Sequence, residues 1–223
     1  MDLSGKKVAV YGLGVTGHST LEYLKTQKLG NLIILSRGNP EEWGIDSSSF
    51  PFPTTQFSES DLEVKKALRD RELILLSPGI PRTADALSDV VNDVPIWNEI
   101  ELAYRSFKGP IMAITGTNGK TTTVSFIGDV LGRLGLKSFI GGNIGIPFVD
   151  ALKTNDYDCA VLEMSSFQCE SLENFHASVS GILNIFPNHG ERYQSVEDYR
   201  VAKWQLVKKA EHEDHLFIGS GVG

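Results

Sequence analysis

A glycine-rich segment in the second half of the chain carries residue types that hold a nucleoside triphosphate. It follows the apolar run Ile111–Ile114 and precedes a helical pattern. In such a strand–loop–helix unit, backbone N–H groups and the helix dipole bind phosphates. Lys120 supplies positive charge at the terminal phosphates, and the hydroxyl of Thr121 suits Mg²⁺. The predicted phosphate-binding residues are Gly116, Thr117, Asn118, Gly119, Lys120, Thr121 and Thr122. The spacing departs from the general GxxxxGK[ST] pattern, because Ile114 stands where that pattern has glycine.

A second glycine-rich turn, residues 12–17, follows the apolar run Val8–Tyr11 with the spacing GxGxxG. After a strand and before a helix, this spacing allows a tight turn and close approach of a phosphate. A dinucleotide-binding domain usually adds an acidic residue about 20 positions later to bind the ribose. The second strand here ends Leu35-Ser36-Arg37-Gly38, without a carboxylate. The pattern disfavours NAD and leaves open NADP, another nucleotide, or a turn that binds nothing.

Two polar residues beyond predicted strand ends are candidate metal ligands. Glu163 follows the run Cys159–Leu162, at the sheet edge where parallel strands usually place ligand groups. Its carboxylate suits Mg²⁺, a hard cation that prefers oxygen; the structural alternative is a capping or solvated glutamate. His189 lies just beyond the strand predicted at Gly181–Asn184 and is a candidate second ligand, although a lone histidine is usually structural.

Lys203 falls on the inward face of the last predicted helix. That face is defined by apolar residues recurring at helical spacing, namely Tyr199, Ala202, Leu206, Val207 and Ala210. Burial there would disfavour the ammonium form and lower the pKa of the lysine. The alternative is a lysine whose stem packs inward while its head reaches water.

These residues must be positioned by strands and helices in alternation, which predicts parallel sheets covered by helices on both faces. The predicted strands are Lys7–Tyr11, Leu32–Leu35, Leu73–Leu76, Ile111–Ile114, Cys159–Leu162, Gly181–Asn184 and Leu216–Ile218. The predicted helices span about 18–27, 61–69, 98–106, 120–134 and 196–210, and residues 39–60 are predicted to form an irregular loop. A second complete strand–loop–helix unit starts at Ile111, so we predict domains at 1–93 and 94–223.

Composition narrows the function classes. The 223 residues include 21 Lys plus Arg against 28 Asp plus Glu, a net charge of −7. Such a chain lacks the broad basic field of a nucleic-acid binder, so phosphates must be bound locally. The two cysteines form no CxxC pair and fit a reducing compartment. No apolar run approaches the roughly 20 residues of a membrane span. We expect a soluble, cytoplasmic protein without nucleic-acid or membrane partners.

Several strings together resemble the Mur ligases, which form amide bonds through ATP-derived acyl phosphates. The string TGTNGKTT at 115–122 is shared with this family and its folylpolyglutamate synthase relatives. The segment GGNIG at 141–145 is similar to a segment of the whole family, whereas EMSSFQ at 163–168 and SPGI at 77–80 are similar to strings of the D-glutamate-adding branch. The resemblance runs from about residue 5 to about residue 218.

The resemblance implies a Rossmann-like UDP-binding domain followed by a P-loop NTPase-type parallel-sheet domain, and a reaction that uses ATP and Mg²⁺. Its substrates would be UDP-N-acetylmuramoyl-L-alanine and D-glutamate. The implied contacts to the UDP substrate are Val15, Thr16, Ser36, Arg37, Ser77, Pro78, Gly79, Asn143 and Ser165. In this family a third, C-terminal domain holds the amino acid and part of the ATP pocket. Since nothing after Gly223 supplies that domain, we expect a fragment with little or no turnover.

The resemblance also implies catalytic roles for Lys120, Glu163, His189 and Lys203. The family motif YxxAK matches residues 199–203, which implies that Lys203 carries a carbamate. The implied metal ligands are Thr121, Glu163, His189 and carbamylated Lys203. Three positions depart from the family pattern: Leu35, Asn188 and Glu191 each stand where the family usually has Asp.

Other functions stay open at this point. The chain can be a ligase for folate or for another Mur step, although EMSSFQ and SPGI disfavour folate. It can be a non-catalytic nucleotide-binding relative. An NADP-dependent oxidoreductase rests on the GxGxxG turn alone, and the GTNGKTT loop disfavours it.

Overall fold

Two five-stranded parallel sheets organise the chain, each in its own unit. The computed structural model describes residues 1–154, 156–187, 192–220 and 222. The two units are Met1–Leu102 and Ala103–Gly223. Both are α/β, as the alternation of strands and helices predicts.

The first sheet has the strand order β3-β2-β1-β4-β5, and all of its neighbouring strands run parallel. Its strands are β1 (Lys7–Tyr11), β2 (Asn31–Ser36), β3 (Thr54–Ser58), β4 (Leu73–Leu76) and β5 (Ile96–Trp97). The helices are α1 (Val15–Leu24), α2 (Val64–Arg69) and α3 (Glu99–Tyr104), the last running across the boundary between the units.

Apolar strands in the middle of this sheet form its core. In β4 the run Leu73–Leu76 is buried at every position, as expected for a parallel strand covered on both faces. Strand β1 lies between β2 and β4, so the strand order reverses at β1. Open α/β sheets bind ligands in the crevice beside the carboxyl ends of the strands at such a reversal.

The second sheet has the order β10-β9-β6-β8-β7 and is also parallel throughout. Its strands are β6 (Ile111–Thr115), β7 (Ser138–Gly142), β8 (Cys159–Glu163), β9 (Val179–Ile182) and β10 (His215–Ile218). The helices are α4 (Lys120–Arg133), α5 (Ser166–Cys169) and α6 (Val196–Trp204). The glycine-rich loop connects central strand β6 to α4, so its position is fixed by the middle of the sheet.

Three strands, β3, β5 and β7, are not predicted from the sequence, because they lack a long apolar run, and a fourth, β9, is displaced from its predicted position. β3 was expected to be loop; its sequence TTQFS is only partly buried at the edge of the sheet. β5 has two residues, and β7 ends in two glycines. β9 lies two residues earlier than predicted, which leaves Asn184 in the following loop.

The last helix is shorter than the predicted 196–210. α6 ends at Trp204 and continues as a 3-10 turn, Gln205–Val207. Tyr199, Ala202 and Leu206 are buried as predicted. Ala210 is exposed, because the helix has ended before reaching it.

The boundary between the units lies after Leu102, later than the predicted boundary after residue 93. The reason is strand β5, which pairs with β4 through Ile74↔Ile96 and Leu75↔Trp97. Strand β5, which the predicted bounds place in the second domain, thus completes the first sheet. Among the described residues, none of the helices has the length and apolar character needed to cross a membrane.

The contact between Gly17 and the first glycine-rich turn yields a prediction. A Cβ on Gly17 would lie 2.0 Å from the carbonyl oxygen of Gly12, which is backbone and cannot swing away. We expect Gly17→Ala to lower the free energy of unfolding by about 1–3 kcal/mol. His18→Ala changes the next, exposed residue of α1 and should stay within about 0.5 kcal/mol. Denaturant titration of both variants checks this, and equal stability would show that α1 does not need the close approach.

Candidate functional site

The glycine-rich loop of the second unit joins the carboxyl end of β6 to the first turn of α4. Gly119 is the N-cap of α4 and Lys120 its first residue, so the helix begins directly under the loop. The helix contributes free N–H groups and the positive end of its dipole, the elements of a phosphate site. Thr121 and Thr122 lie exposed in the first turn of α4.

Asn184, just after β9, holds the loop in shape. Its Oδ1 accepts hydrogen bonds from the backbone N–H groups of Thr117 (3.1 Å) and Asn118 (2.9 Å). Its Nδ2 donates to the carbonyl oxygen of Asn118 at 3.1 Å. The Asn184 side chain thus hydrogen-bonds to both N–H and C=O groups of the loop backbone and fixes the curvature of the loop.

Lys120 folds back over the loop. Its Nζ donates to the carbonyl oxygens of Gly116 (3.0 Å) and Thr117 (2.9 Å). Burial, together with the positive charge of Lys203, lowers the pKa of Lys120. Since both acceptors are loop carbonyls, the ammonium lies beside the cradle where phosphates would bind.

Glu163 ends β8 as a buried carboxylate, with 2% of the residue exposed. Its Oε2 accepts a 2.7 Å hydrogen bond from the Thr121 hydroxyl, and its Oε1 accepts from Asn143 Nδ2 at 2.8 Å. Both hydrogen-bond donors are neutral, and the positive charges that act on the carboxylate are the ammonium groups of Lys120 and Lys203. A hydroxyl and a carboxylate at the edge of a phosphate loop are oxygen donors of the kind that Mg²⁺ takes alongside phosphates and water.

Gly142 lets the segment at 141–145 approach Glu163. Its φ is 100°, and a Cβ there would lie 2.4 Å from the Glu163 carbonyl oxygen. The next residue, Asn143, donates its backbone N–H to that same carbonyl at 2.8 Å. The glycine therefore brings the Asn143 amide within reach of the carboxylate.

Lys203 points inward from α6, with 1% of the residue exposed. Its Nζ donates to the Gly116 carbonyl oxygen at 3.0 Å and to the Thr115 hydroxyl at 3.3 Å. It also lies 4.5 Å from the centre of the Tyr199 ring. Burial lowers the pKa of Lys203 to about 8, so a substantial fraction of neutral amine exists near that pH. The inward position inferred from helical spacing is therefore observed.

Ser165, predicted near the substrate, is the N-cap of the short helix α5. Its Oγ accepts from the Gln168 backbone N–H at 3.2 Å, and Gln168 Oε1 accepts from the Ser165 backbone N–H at 2.9 Å. This reciprocal capping box explains two residues of the EMSSFQ string in structural terms. It also fixes the chain just after Glu163.

The remaining predicted metal ligand, His189, lies outside the described residues, as do the departures Asn188 and Glu191. Within the described part of the chain, no group of three or more His, Cys, Asp or Glu side chains is placed to hold a metal. Glu163 and Thr121 are brought together, with Lys203 joining them through the Thr115–Gly116 end of the loop.

The first unit places its predicted ligand residues around the carboxyl edge of its own sheet. Val15 and Thr16 begin α1, Val15 being 71% exposed, and Ser36 ends β2. Ser77 follows β4, and its Oγ donates to the Gly12 carbonyl oxygen at 3.0 Å. The turn containing Pro78 and the exposed Gly79 is thereby tied to the glycine-rich turn.

Arg37 is largely exposed and ion-paired: its Nε lies 3.1 Å from Glu59 Oε1. Glu59 Oε2 accepts a second hydrogen bond, at 2.9 Å, from the hydroxyl of Tyr11. Burial and Glu59 raise the pKa of Tyr11 to about 12, so its hydroxyl remains a donor. The ion pair of Arg37 and Glu59 thus lies beside the crevice of the first sheet.

Asn184, Tyr11 and Glu59 were not among the predicted site residues. The sequence predicts Asn184 as the last residue of a strand. Its position at the end of a strand in a parallel sheet, where site residues usually lie, could have indicated a role in the site. Tyr11 was read only as a strand residue. Glu59 lay in a segment taken for a loop, so no sequence spacing pointed to it.

Comparison with known families identifies both units. The Mur ligase middle-domain family matches residues 114–220, and the Mur ligase MurD-like N-terminal domain family matches residues 6–96. The two ranges together span most of the chain.

Individual relatives agree. A protein of Alkaliphilus metalliredigens named UDP-N-acetylmuramoylalanine--D-glutamate ligase is 37% identical over 223 residues, covering 98% of this chain and 48% of its own length. A protein of the same name from Lachnoclostridium phytofermentans is 38% identical over 225 residues, with the same two coverages. The chain therefore spans about half the length of the curated relatives it matches.

A solved structure from Neisseria meningitides shows the same fold. It is a UDP-N-acetylmuramate:L-alanyl-gamma-D-glutamyl-meso-diaminopimelate ligase with a TM-score of 0.58 and 13% identity, covering 97% of this chain and 72% of that one. At this identity the likeness supports the fold alone.

The Asn184 contacts generate a prediction for the phosphate loop. Asn184→Ala removes the acceptor of the Asn118 amide, one of two acceptors of the Thr117 amide, and the donor to one carbonyl, and should lower the free energy of unfolding by about 1–3 kcal/mol. Hydrogen exchange should accelerate most at the Asn118 amide, because the Thr117 amide keeps its bond to the backbone carbonyl of residue 184. Ser125→Ala, at an exposed position of α4, is the matched control. Unchanged exchange at both amides would mean that Asn184 does not hold the loop.

Proposed function

The chain belongs to the Mur ligase family, and on that premise we propose that it supplies the substrate-anchoring and ATP-binding domains of a D-glutamate-adding ligase. The reaction would join D-glutamate to UDP-N-acetylmuramoyl-L-alanine in peptidoglycan synthesis. The observation that carries this proposal is the buried Glu163 carboxylate bonded to Thr121 in the first turn under a GTNGKTT loop. Sequence identity of 37–38% with relatives of that name points to the same branch.

In the proposed reaction, a substrate carboxylate oxygen attacks the γ-phosphorus of ATP. A P–O bond forms as the bond to ADP breaks, and the resulting acyl phosphate loses phosphate when the D-glutamate amine attacks its carbonyl carbon. The loop residues Gly116–Thr122 would bind the phosphates, and Lys120 would leave the loop carbonyls to neutralise charge on the transferred group. Asn143, fixed by Glu163, would face the substrate carboxylate.

Mg²⁺ fits the donors Thr121 and Glu163, with His189 and carbamylated Lys203 as further proposed ligands. When bound, Mg²⁺ would neutralise charge that develops on the phosphates. Asn184 orients the loop, and burial keeps water from the Glu163 carboxylate beneath it. The two cysteines are free and buried, which favours the reducing cytoplasm as location.

Lys203 has the surroundings for a carbamate. The neutral amine would attack the carbon of CO₂; an N–C bond forms, one C=O electron pair moves to oxygen, and a proton leaves the nitrogen to solvent. The lowered pKa makes the amine available, and the carbamate extends oxygen ligands from a buried position. The Thr115 hydroxyl and the Tyr199 ring lie next to the Lys203 nitrogen and would hold it in place.

We predict a slowly exchanging carbamate resonance in ¹³C NMR of the chain equilibrated with ¹³CO₂. At fixed CO₂ pressure it should grow from about pH 7 to about pH 9, because deprotonation of the amine passes through the folded-state pKa of about 8. Lys203→Met, which fills similar space, should lose the signal, whereas Lys208→Arg at an exposed site should keep it. A wild-type spectrum without the resonance would contradict the modification.

The first unit is proposed to anchor the uridine diphosphate through Val15, Thr16, Ser36, Arg37 and the turn Ser77–Gly79. Calorimetric titration with UDP-N-acetylmuramoyl-L-alanine should show binding, and NADPH should not bind. The reverse result would favour the oxidoreductase alternative over the ligase. In the full-length protein, phosphate release that depends on D-glutamate would exclude a non-catalytic nucleotide-binding relative.

A further inference from the structure

A cavity of about 350 Å³ opens at the carboxyl edge of the first sheet. Its wall includes Tyr11 from the end of β1, Arg37 from beyond β2, Glu59 from beyond β3, and Ile80 and Pro81 from beyond β4. Polar side chains, which also include Ser60 and Asp85, and an apolar flank therefore meet in one concave space. This mixture is typical of a small-molecule site.

Two carboxylates line this cavity, Asp85 and Glu59. Asp85 is ion-paired with Lys65 at 2.9 Å. The oxygens of Glu59 accept one hydrogen bond each from Arg37 and Tyr11, at 3.1 Å and 2.9 Å. An ionised carboxylate has about four acceptor positions, so Glu59 retains capacity for a ligand. Its side chain is 31% exposed, which leaves it accessible from the cavity.

The position of Glu59 compensates for what the second strand lacks. Rossmann-type domains bind a ribose with an acidic residue at the end of the second strand. Here Leu35, the penultimate residue of that strand, is apolar and 1% exposed in the core, and Ser36 and Arg37 follow it. Ser36 pairs in register with Ser58, and the backbone N–H of Glu59 donates to the Ser36 carbonyl oxygen at 2.9 Å. The carboxylate is thus delivered at the same level of the sheet, from the neighbouring strand.

We infer that Glu59, held by Tyr11 and Arg37, accepts hydrogen bonds from the nucleoside part of the ligand of the first unit. The inference rests on the proposed uridine nucleotide site and names a specificity-determining residue within it. The donors are either the ribose hydroxyls or the base N–H, since both present O–H or N–H groups to a carboxylate. Tyr11 is a positioning residue, because its hydroxyl is spent on Glu59.

The test compares Glu59→Gln with wild type in calorimetric titration with UDP. The glutamine keeps the size but loses the charge and half of the acceptors, so affinity should fall about ten- to a hundredfold. Tyr11→Phe should give a smaller loss in the same direction. Glu63→Gln changes an exposed carboxylate that does not line the cavity, and should bind as wild type. Circular dichroism and thermal unfolding show whether each variant is folded.

Two UDP analogues identify the contacted group. With 2′,3′-dideoxy-UDP the penalty of Glu59→Gln should vanish if the ribose is the partner; with N3-methyl-UDP it should vanish if the base is. Either result supports the inference. A penalty equal for all three ligands, or a Glu59→Gln variant that binds UDP like wild type, overturns it while leaving the proposed function intact. A wild-type chain that binds none of the three overturns both.

Discussion

A buried carboxylate at the end of a central strand is the constraint on which the second unit depends. Glu163 sits in a position where its charge is costly unless it is hydrogen-bonded and neutralised. Its two donors come from different elements, Thr121 from α4 and Asn143 from beyond β7. One charged group therefore sets the relative position of three neighbouring segments. Lys120 and Lys203 already provide positive charge that acts on the carboxylate, and a bound cation would add to it, so charge neutralisation and the proposed chemistry involve the same residues.

At the carboxyl edge of the sheet in the first unit, the loops are held by different contacts. There the glycine-rich turn is supported by neutral contacts, with Ser77 Oγ donating to the Gly12 carbonyl. The charged residues, Arg37 and Glu59, lie to one side, just beyond strands β2 and β3, and form an ion pair. Since that ion pair is mostly exposed, it contributes little to stability. The ion pair instead positions the Glu59 carboxylate at the cavity, and no unpaired charge has to be buried.

Much of this was visible in the sequence, because the strongest signals are local. The fold class followed from strands that alternate with helices, and the glycine-rich loop between β6 and α4 followed from residues 116–122, whose spacing is fixed by the geometry of one turn. The inward position of Lys203 followed from the helical period. The position of the Glu59 carboxylate could not be predicted in this way, because its neighbours are set by the register between β2 and β3. Strand β3 is a half-exposed edge strand without a run of apolar residues. Asn184 was missed for a related reason: a shift of two residues in β9 decides whether it is a strand residue or a loop anchor.

The buried Lys203 and the partly buried Lys120 share one acceptor, so modification of Lys203 would change Lys120. Both Lys120 and Lys203 donate to the Gly116 carbonyl oxygen, at 3.0 Å each, so two cations share one acceptor. Their mutual repulsion contributes to the lowered pKa of Lys120. A carbamate on Lys203 would reverse the sign of its charge and leave its nitrogen with one N–H. Repulsion on Lys120 would then become attraction, which favours its ammonium form, the form needed to meet a transferred phosphoryl group. The carbamate would thus act at a distance on the loop lysine as well as offering oxygen ligands of its own.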